Sequence, residues 1–302
     1  MATLDPCPVQ GILNLNKPTG RTSRDVVNLI SRPLRRIKVG HAGTLDPLAS
    51  GVLVVCVGAA TRLIEYVQRM PKTYRALVRL GARSNTLDAD GQIVETANPN
   101  VSTEQEVRDA LATQIGTINQ VPPQFSALKV AGRRAYDLAR AGKEVDLAAR
   151  PVTVYHIELL EFSWPRLTLE IDCGSGTYIR SIARDLGEQL GCGGLIEVLE
   201  RTRIGPFTLA DAVDPTTLTS DSIPGLLRPM SEAVANLPAV PLTDEQVALV
   251  ARGQALDVGR VALGEPIPPG ELALFGPDGA LVAVAESDPE TGKLLPRRVL
   301  IS

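Results

Sequence analysis

The sequence predicts an α+β chain with one large domain and a small β-rich one. Strand candidates and short capped helices follow one another over residues 1–238, and near 237–241 the composition shifts. Beyond that point short apolar pieces alternate with turns. The length agrees, since 302 residues have room for one large domain and a small one.

Taken in order, Ile12-Leu13-Asn14-Leu15 reads as a short strand closed by the turn residues Lys17-Pro18-Thr19-Gly20. Ser23 offers an N-cap and Asp25 suits a first turn, with Val26, Val27 and Ile30 at helical spacing until Pro33 stops the helix. Residues 40–53, Gly40-His41-Ala42-Gly43-Thr44-Leu45-Asp46-Pro47-Leu48-Ala49-Ser50-Gly51-Val52-Leu53, form the stretch on which the rest converges. Pro47 disfavours helix at Asp46 by clashing with the residue before it. Asp46 therefore sits in an irregular loop that enters the apolar run 52–57, a strand buried on both faces. A carboxylate at the mouth of a buried strand, beside a histidine and flexible glycines, is where a site is expected. The same residues also fit an Asp that caps a turn before Pro.

Leu63, Ile64 and Val67 mark another short helix, and Tyr74, Ala76, Val78 and Leu80 alternate as a strand. Residues 83–91 read as a polar loop containing Asp88-Ala89-Asp90-Gly91, which invites a calcium-loop reading. With Gly91 as the sixth position, the first would be Thr86 and the twelfth Ala97, where that loop needs acids, so the reading fails. Thr103-Glu104-Gln105-Glu106 is a capping box ahead of Val107, Leu111 and Ile115. A basic stretch follows, with a short helix expected around 135–141. Leu167, Leu169 and Ile171 alternate as a strand leading through a glycine turn to a helix bearing Ile179, Ile182, Ala183, Leu186 and Leu190. Tyr178 and Arg180 share a face only in extended chain, so both reach one pocket only from this strand-to-helix junction. A cation at a helix start opposes the macrodipole, which favours a specific carboxylate partner for Arg180. Phe275-Gly276-Pro277-Asp278-Gly279 ahead of 280–284 is a hairpin signal.

Composition narrows the class. Hydrophobic residues make up 44% and charged residues 22%, ordinary for a globular protein. No run of about 18 uncharged apolar residues indicates a membrane span, and the first residues carry no secretory pattern. Cys7, Cys56, Cys173 and Cys192 lie far apart, which fits reduced thiols and a cytoplasmic protein and gives no support to a zinc site. The net charge of -3 hides an uneven distribution: residues 240–302 hold five basic and nine acidic side chains. Elsewhere Arg21, Arg24, Arg32, Arg35, Arg36 and Lys38 crowd against Asp25, and Lys129, Arg133, Arg134, Arg140 and Lys143 form a second cluster. Such patches suit phosphates, although a solvated basic surface would look the same.

Residues 40–53 resemble the catalytic loop of the TruB family of pseudouridine synthases, which isomerise the T-loop uridine of tRNA. The resemblance continues in family order through 11–20, Lys72-Thr73-Tyr74-Arg75-Ala76, Pro122-Pro123-Gln124-Phe125-Ser126-Ala127-Leu128-Lys129 and Gly174-Ser175-Gly176-Thr177-Tyr178-Ile179-Arg180. It implies a mixed, mostly antiparallel sheet in a catalytic domain over 1–238, an RNA-binding insertion at about 124–150 that folds over the T-arm, and a PUA-like RNA-binding domain over 239–302. Where the family has a Thr-Asp-Thr-like stretch, this chain has Ser84-Asn85-Thr86.

By the same resemblance Asp46 is the catalytic nucleophile and Arg180 its partner cation. Tyr74 stacks on the target base and is a candidate for proton transfer. Tyr178 and Leu199 line the uracil pocket, His41 helps to open the T-loop, and Lys17 is a further substrate-binding position. Without the resemblance, Tyr74, Tyr178 and Leu199 also read as core and His41 as a structural histidine. The isomerisation is redox-neutral and implies neither metal nor cofactor, and the expected partner is tRNA alone, met by a monomer. Competing readings are a non-catalytic RNA-binding or tRNA-folding protein, a guide-RNA-dependent synthase, and an Asp-nucleophile hydrolase, which would want an acid cluster near Asp46.

Overall fold

In the computed structural model, which describes residues 9–126, 129–130, 133–134, 147–257 and 268–301, the strand candidates assemble into two main sheets. The chain begins with β1 (Gly11–Lys17), α1 (Ser23–Ser31), β2 (Val39–His41) and β3 (Ser50–Val57). A 3-10 segment, Gly58–Leu63, then runs into α2 (Ile64–Arg69). Next come β4 (Lys72–Leu80), the hairpin of β5 (Ala82–Ser84) and β6 (Ile93–Glu95), α3 (Glu104–Ala112) and β7 (Gly116–Gln120). A small pair, β8 (Lys129–Val130) and β9 (Arg133–Arg134), precedes β10 (Arg150–Ser163), β11 (Arg166–Cys173), α4 (Ile179–Gln189), β12 (Gly194–Ile204) and β13 (Phe207–Thr208). The chain continues through α5 (Ile223–Leu226), β14 (Ala239–Pro241), α6 (Asp244–Ala251) and β15 (Leu256–Asp257) to β16 (Gly270–Phe275), β17 (Leu281–Asp288) and β18 (Lys293–Val299).

The large sheet runs in the order β1-β3-β12-β4-β11-β10-β7, with β2 beside β3 and β13 beside β12. Its pairings are antiparallel except where β12 lies parallel to β3, with Arg201 opposite Gly51. This is the mixed, mostly antiparallel sheet that the family resemblance implies. The apolar run of β3 divides by alternation between two cores. Val52, Val54 and Cys56 face one cluster with Leu63, Val67 and Phe207. Leu53, Val55 and Val57 face another with Val26, Val27 and Ile30 of α1. A third core joins Ala76, Val78 and Leu80 of β4 to Leu167, Leu169 and Ile171 of β11 and to Ile179, Ile182 and Leu186 of α4.

Helix starts follow local chemistry, with one correction. Thr22, not Ser23, caps α1 in a capping box with Asp25. The Ser23 hydroxyl is engaged elsewhere: it accepts from the Leu45 amide at 2.8 Å and donates to the Leu45 carbonyl at 3.2 Å. Thr103 and Glu106 form the expected box at α3. The helix expected around 135–141 lies outside the described residues, as do Arg140 and Lys143.

The second sheet has the order β14-β16-β17-β18-β15 and contains the predicted hairpin as β16 and β17. It does not stand apart from the first. Ala273, Leu281, Val284 and Leu300 share a core with Leu63, Tyr66 and Val67. At the edge of this contact the Tyr66 hydroxyl donates to Glu271 at 2.7 Å, Arg69 pairs with Glu271 at 2.7 Å, and Arg298 pairs with Glu65 at 2.8 Å.

Among the described glycines, the closest backbone approach is where α4 crosses the start of β12. A Cβ on Gly187 would stand 2.1 Å from the Gly193 carbonyl carbon and 2.2 Å from the Gly194 nitrogen. Backbone atoms on both sides leave no flexible neighbour to yield. Gly187→Ala is therefore expected to lower stability by about 1–3 kcal/mol, the usual range for overpacking, despite the better helix propensity of Ala. Denaturant unfolding of the two proteins checks this, and an unchanged midpoint would overturn it.

Candidate active site

Asp46 lies in the loop between β2 and β3, and three contacts fix that loop. Ser23 holds Leu45 through both backbone groups, the Ala49 amide donates to the Asp46 carbonyl at 3.1 Å, and the Gly20 amide donates to the Pro47 carbonyl at 2.8 Å. Behind the loop, Gly51 adopts φ +98°, and a Cβ there would lie 2.3 Å from the Arg201 carbonyl oxygen. Only glycine allows the parallel contact with β12 at that point.

Arg180 reaches Asp46 from the first turn of α4. Its Nε stands 2.9 Å from Asp46 Oδ2, and its Nη1 lies 3.5 Å from Asp88 Oδ2. Nη1 also donates to the Thr86 carbonyl and Nη2 to the Phe125 carbonyl, each at 2.9 Å. The guanidinium side chain is 5% exposed, like that of Asp88, whereas the Asp46 side chain is 36% exposed. Burial is the largest influence on the Asp88 carboxyl and pushes it up, while its hydrogen bond from Thr86 and the Arg180 charge pull it back. The unfavourable placement of a cation at a helix start is thus answered by two carboxylates.

Of these groups Asp46 and Arg180 line a cavity of about 310 Å³, together with Tyr74, Tyr178, Leu199, Lys72 and Arg201. Tyr74 stands at the start of β4, almost buried, and burial pushes its hydroxyl up, with the Arg201 charge acting in the opposite sense. Tyr178 occupies the N-cap position of α4. Its amide donates to Gln120 Oε1 at 2.8 Å, and Gln120 Nε2 returns a bond to its carbonyl at 3.1 Å. The Arg150 guanidinium lies 5.1 Å from the Tyr178 ring centroid. Leu199, on β12, is buried against the same space.

Two further expected positions lie off this cavity. His41 ends β2, beside the loop but outside the lining. Lys17 is fully buried at the end of β1, where its ammonium donates to the Pro18 carbonyl at 3.0 Å and the Pro47 carbonyl at 3.4 Å. It lines a separate polar recess with Ser50, Glu200 and Asp214. Burial lowers the Lys17 ammonium to about 8.

Sequence reasoning missed Asp88, Lys72 and Arg201. In the sequence Asp88 reads only as part of a candidate calcium loop, and no local signal points to its ion pair with Arg180. Removing the Asp88 carboxylate leaves a buried guanidinium with a single acid. Asp88→Ala is expected to destabilise the fold by about 3 kcal/mol, the lower end for breaking a buried pair. Chemical denaturation at neutral pH checks it, and a loss within the scatter of surface substitutions would refute it.

Lys72, at the first position of β4, donates to the Met70 carbonyl at 2.6 Å and to the Gln68 carbonyl. Burial, aided by the Arg201 charge, lowers its ammonium from 10.5 to about 8. Below about pH 8 both folded and unfolded chains hold this proton, and above about 10.5 neither does. Between those limits the unfolded chain binds more protons, so the Lys72 contribution favours folding increasingly as pH rises. The difference in stability between wild type and Lys72→Met should therefore shift in favour of wild type across that window. A pH-independent difference would exclude the effect.

Residues 31–179 match the family described as "TruB family pseudouridylate synthase (N terminal domain)", and residues 180–235 match "tRNA pseudouridylate synthase B C-terminal domain". A tRNA pseudouridine synthase B of Aromatoleum aromaticum is 41% identical over 295 residues, covering 97% of this chain and 93% of the relative. One from Cereibacter sphaeroides is 43% identical over 298 residues, covering 96% of each. Among solved structures, "Crystal Structure of a Cbf5-Nop10-Gar1 Complex" superposes with a TM-score of 0.75 at 30% identity, covering 96% of this chain and 85% of that one.

Proposed function

The chain belongs to the TruB family of pseudouridine synthases, and from that premise we propose a stand-alone enzyme that isomerises the T-loop uridine of tRNA to pseudouridine. The observation that carries the reading is the Asp46–Arg180 ion pair at 2.9 Å, set in one cavity with Tyr74. Isomerisation breaks the N-glycosidic bond, turns the base and rejoins it through a ring carbon. It needs an ionised carboxylate as nucleophile or base, and Asp46 is the carboxylate of the pair that faces the cavity. Arg180 holds that carboxylate in place through its Nε at 2.9 Å.

The target uridine has to leave its stack, at a cost of a few kcal/mol. Stacking on Tyr74 offsets much of this, since a base on an aromatic ring is worth about 1–3 kcal/mol. Tyr178 and Leu199 shape the uracil pocket, and His41 at its border packs against nucleotides opened around the target. Lys17 acts indirectly by anchoring the Pro47 carbonyl, and so the catalytic loop, from behind. Arg21, Arg24, Arg32, Arg35, Arg36 and Lys38 are all exposed and form a face for phosphates. Residues 1–238 carry the catalysis, and residues 239–302 form a small accessory RNA-binding module.

A guide-RNA-dependent enzyme is the second reading, because the solved neighbours include "Structure of H/ACA RNP bound to a substrate RNA containing 2'-deoxyuridine". The higher identity and near-complete mutual coverage with the tRNA pseudouridine synthase B relatives favour the stand-alone form. Purified protein, alone with a tRNA transcript tritiated at uracil carbon 5, is expected to release the label, with the product mapping to the T-loop. Asp46→Asn should release none while still binding the tRNA. Binding without release by the wild type would sink the stand-alone reading.

A further inference from the structure

Two cations at the cavity, Lys72 and Arg201, have no part in the assignment above. Backbone carbonyls satisfy Lys72. Arg201 is different. It is 2% exposed, its Nε donates to the Val52 carbonyl at 2.8 Å and its Nη2 to the Gly43 carbonyl at 3.3 Å. Among the described residues no carboxylate forms an ion pair with it, an unfavourable arrangement for a buried charge. Register explains where it points: Arg201 lies directly opposite Tyr74 in the β4–β12 pair and opposite Gly51 in β3. Its Cζ is 6.0 Å from the Tyr74 ring centroid, within range of a cation–π contact. The Arg201 charge also acts on the Tyr74 hydroxyl, opposing the effect of burial.

A buried cation without an acid is well placed to meet an anion that exists only during reaction. We propose that Arg201 is a positioning residue for proton transfer, orienting the Tyr74 hydroxyl and stabilising the phenolate that forms when Tyr74 gives up its proton. The inference rests on the pseudouridine synthase reading. Once the bond between ring C5 and the sugar has formed, C5 still carries its hydrogen and N1 is doubly bonded to C6. The Tyr74 hydroxyl proton passes to N1, leaving a phenolate beside Arg201. The phenolate then takes the C5 proton. The C5–H electron pair becomes the C5=C6 double bond, the C6=N1 π pair settles on N1, and the tyrosine is restored. One hydrogen has moved from C5 to N1, which is the proton change the isomerisation requires.

Single-turnover conversion of tRNA with hydrogen or deuterium at uracil carbon 5 tests this in wild type, Arg201→Gln, Tyr74→Phe and the double variant. Arg201→Gln is expected to slow conversion at least about tenfold, within the range of one acid–base contribution. It should also raise the C5 deuterium effect. In the Tyr74→Phe background the same change should alter the rate less than about twofold, because Arg201 acts through the hydroxyl. Arg201→Lys, which keeps the charge, should recover part of the rate, and it carries the test if the Gln variant does not fold. NMR titration of tyrosine labelled at Cζ gives a readout independent of turnover. Arg201, Cys173 and Asp46 face Tyr74, and Lys72 precedes it on β4. With the other groups intact, loss of Arg201 should move Tyr74 ionisation to higher pH. Equal slowing in both Tyr74 backgrounds, weaker tRNA binding at an unchanged rate, or an unmoved Tyr74 titration would each overturn the role. Wild-type protein that releases no label overturns the underlying reading instead, so the two failures are distinguishable.

Discussion

A guanidinium with almost no access to water holds this site together. Arg180 meets Asp46 through Nε, Asp88 and the Thr86 carbonyl through Nη1, and the Phe125 carbonyl through Nη2. Those partners come from the loop before β3, the β5–β6 loop and the segment after β7, so one side chain sets the relative position of three otherwise separate loops. A lysine offers a point charge and no planar fork, and could not satisfy the same set. Two acids around one cation also divide the labour. Asp88 is buried and completes the scaffold, whereas Asp46 keeps a face open to the cavity.

Much of the fold was legible because burial wrote a regular pattern. The run 52–57 reads as a strand hidden on both faces, and its alternate residues do enter different cores. Tyr74, Ala76, Val78 and Leu80 read as one buried face, and that face is where they lie. Helix starts were legible to within a residue. Ser23 and Thr22 are both good caps, and Ser23 was lost to the role because its hydroxyl bonds to Leu45, 22 positions away in sequence. Capping rules read only neighbours, so such a long-range claim on a side chain is invisible to them.

Site residues were legible to different degrees for the same reason. Asp46 and Arg180 were proposed from motif resemblance, with the helix-start argument for Arg180 adding that it needed an acid. Nothing local announced Asp88, because its importance arises from a partner 92 positions along the chain. Arg201 was overlooked beside Leu199 because an arginine in a strand usually reads as a surface residue. Its burial follows from β12 being held between β3 and β4, a fact of sheet order rather than of composition.

The contact between the two sheets has a mechanical consequence. Glu65, Tyr66 and Arg69, all on α2, are gripped by Glu271 and Arg298 of the C-terminal sheet. The far end of the same helix leads to the Gln68 and Met70 carbonyls that hold the Lys72 ammonium at the cavity. A single short helix, α2, therefore bridges the acidic C-terminal sheet and the wall of the cavity. The inner edge of the C-terminal sheet, which bears on α2, is thus part of the frame that carries the cavity wall.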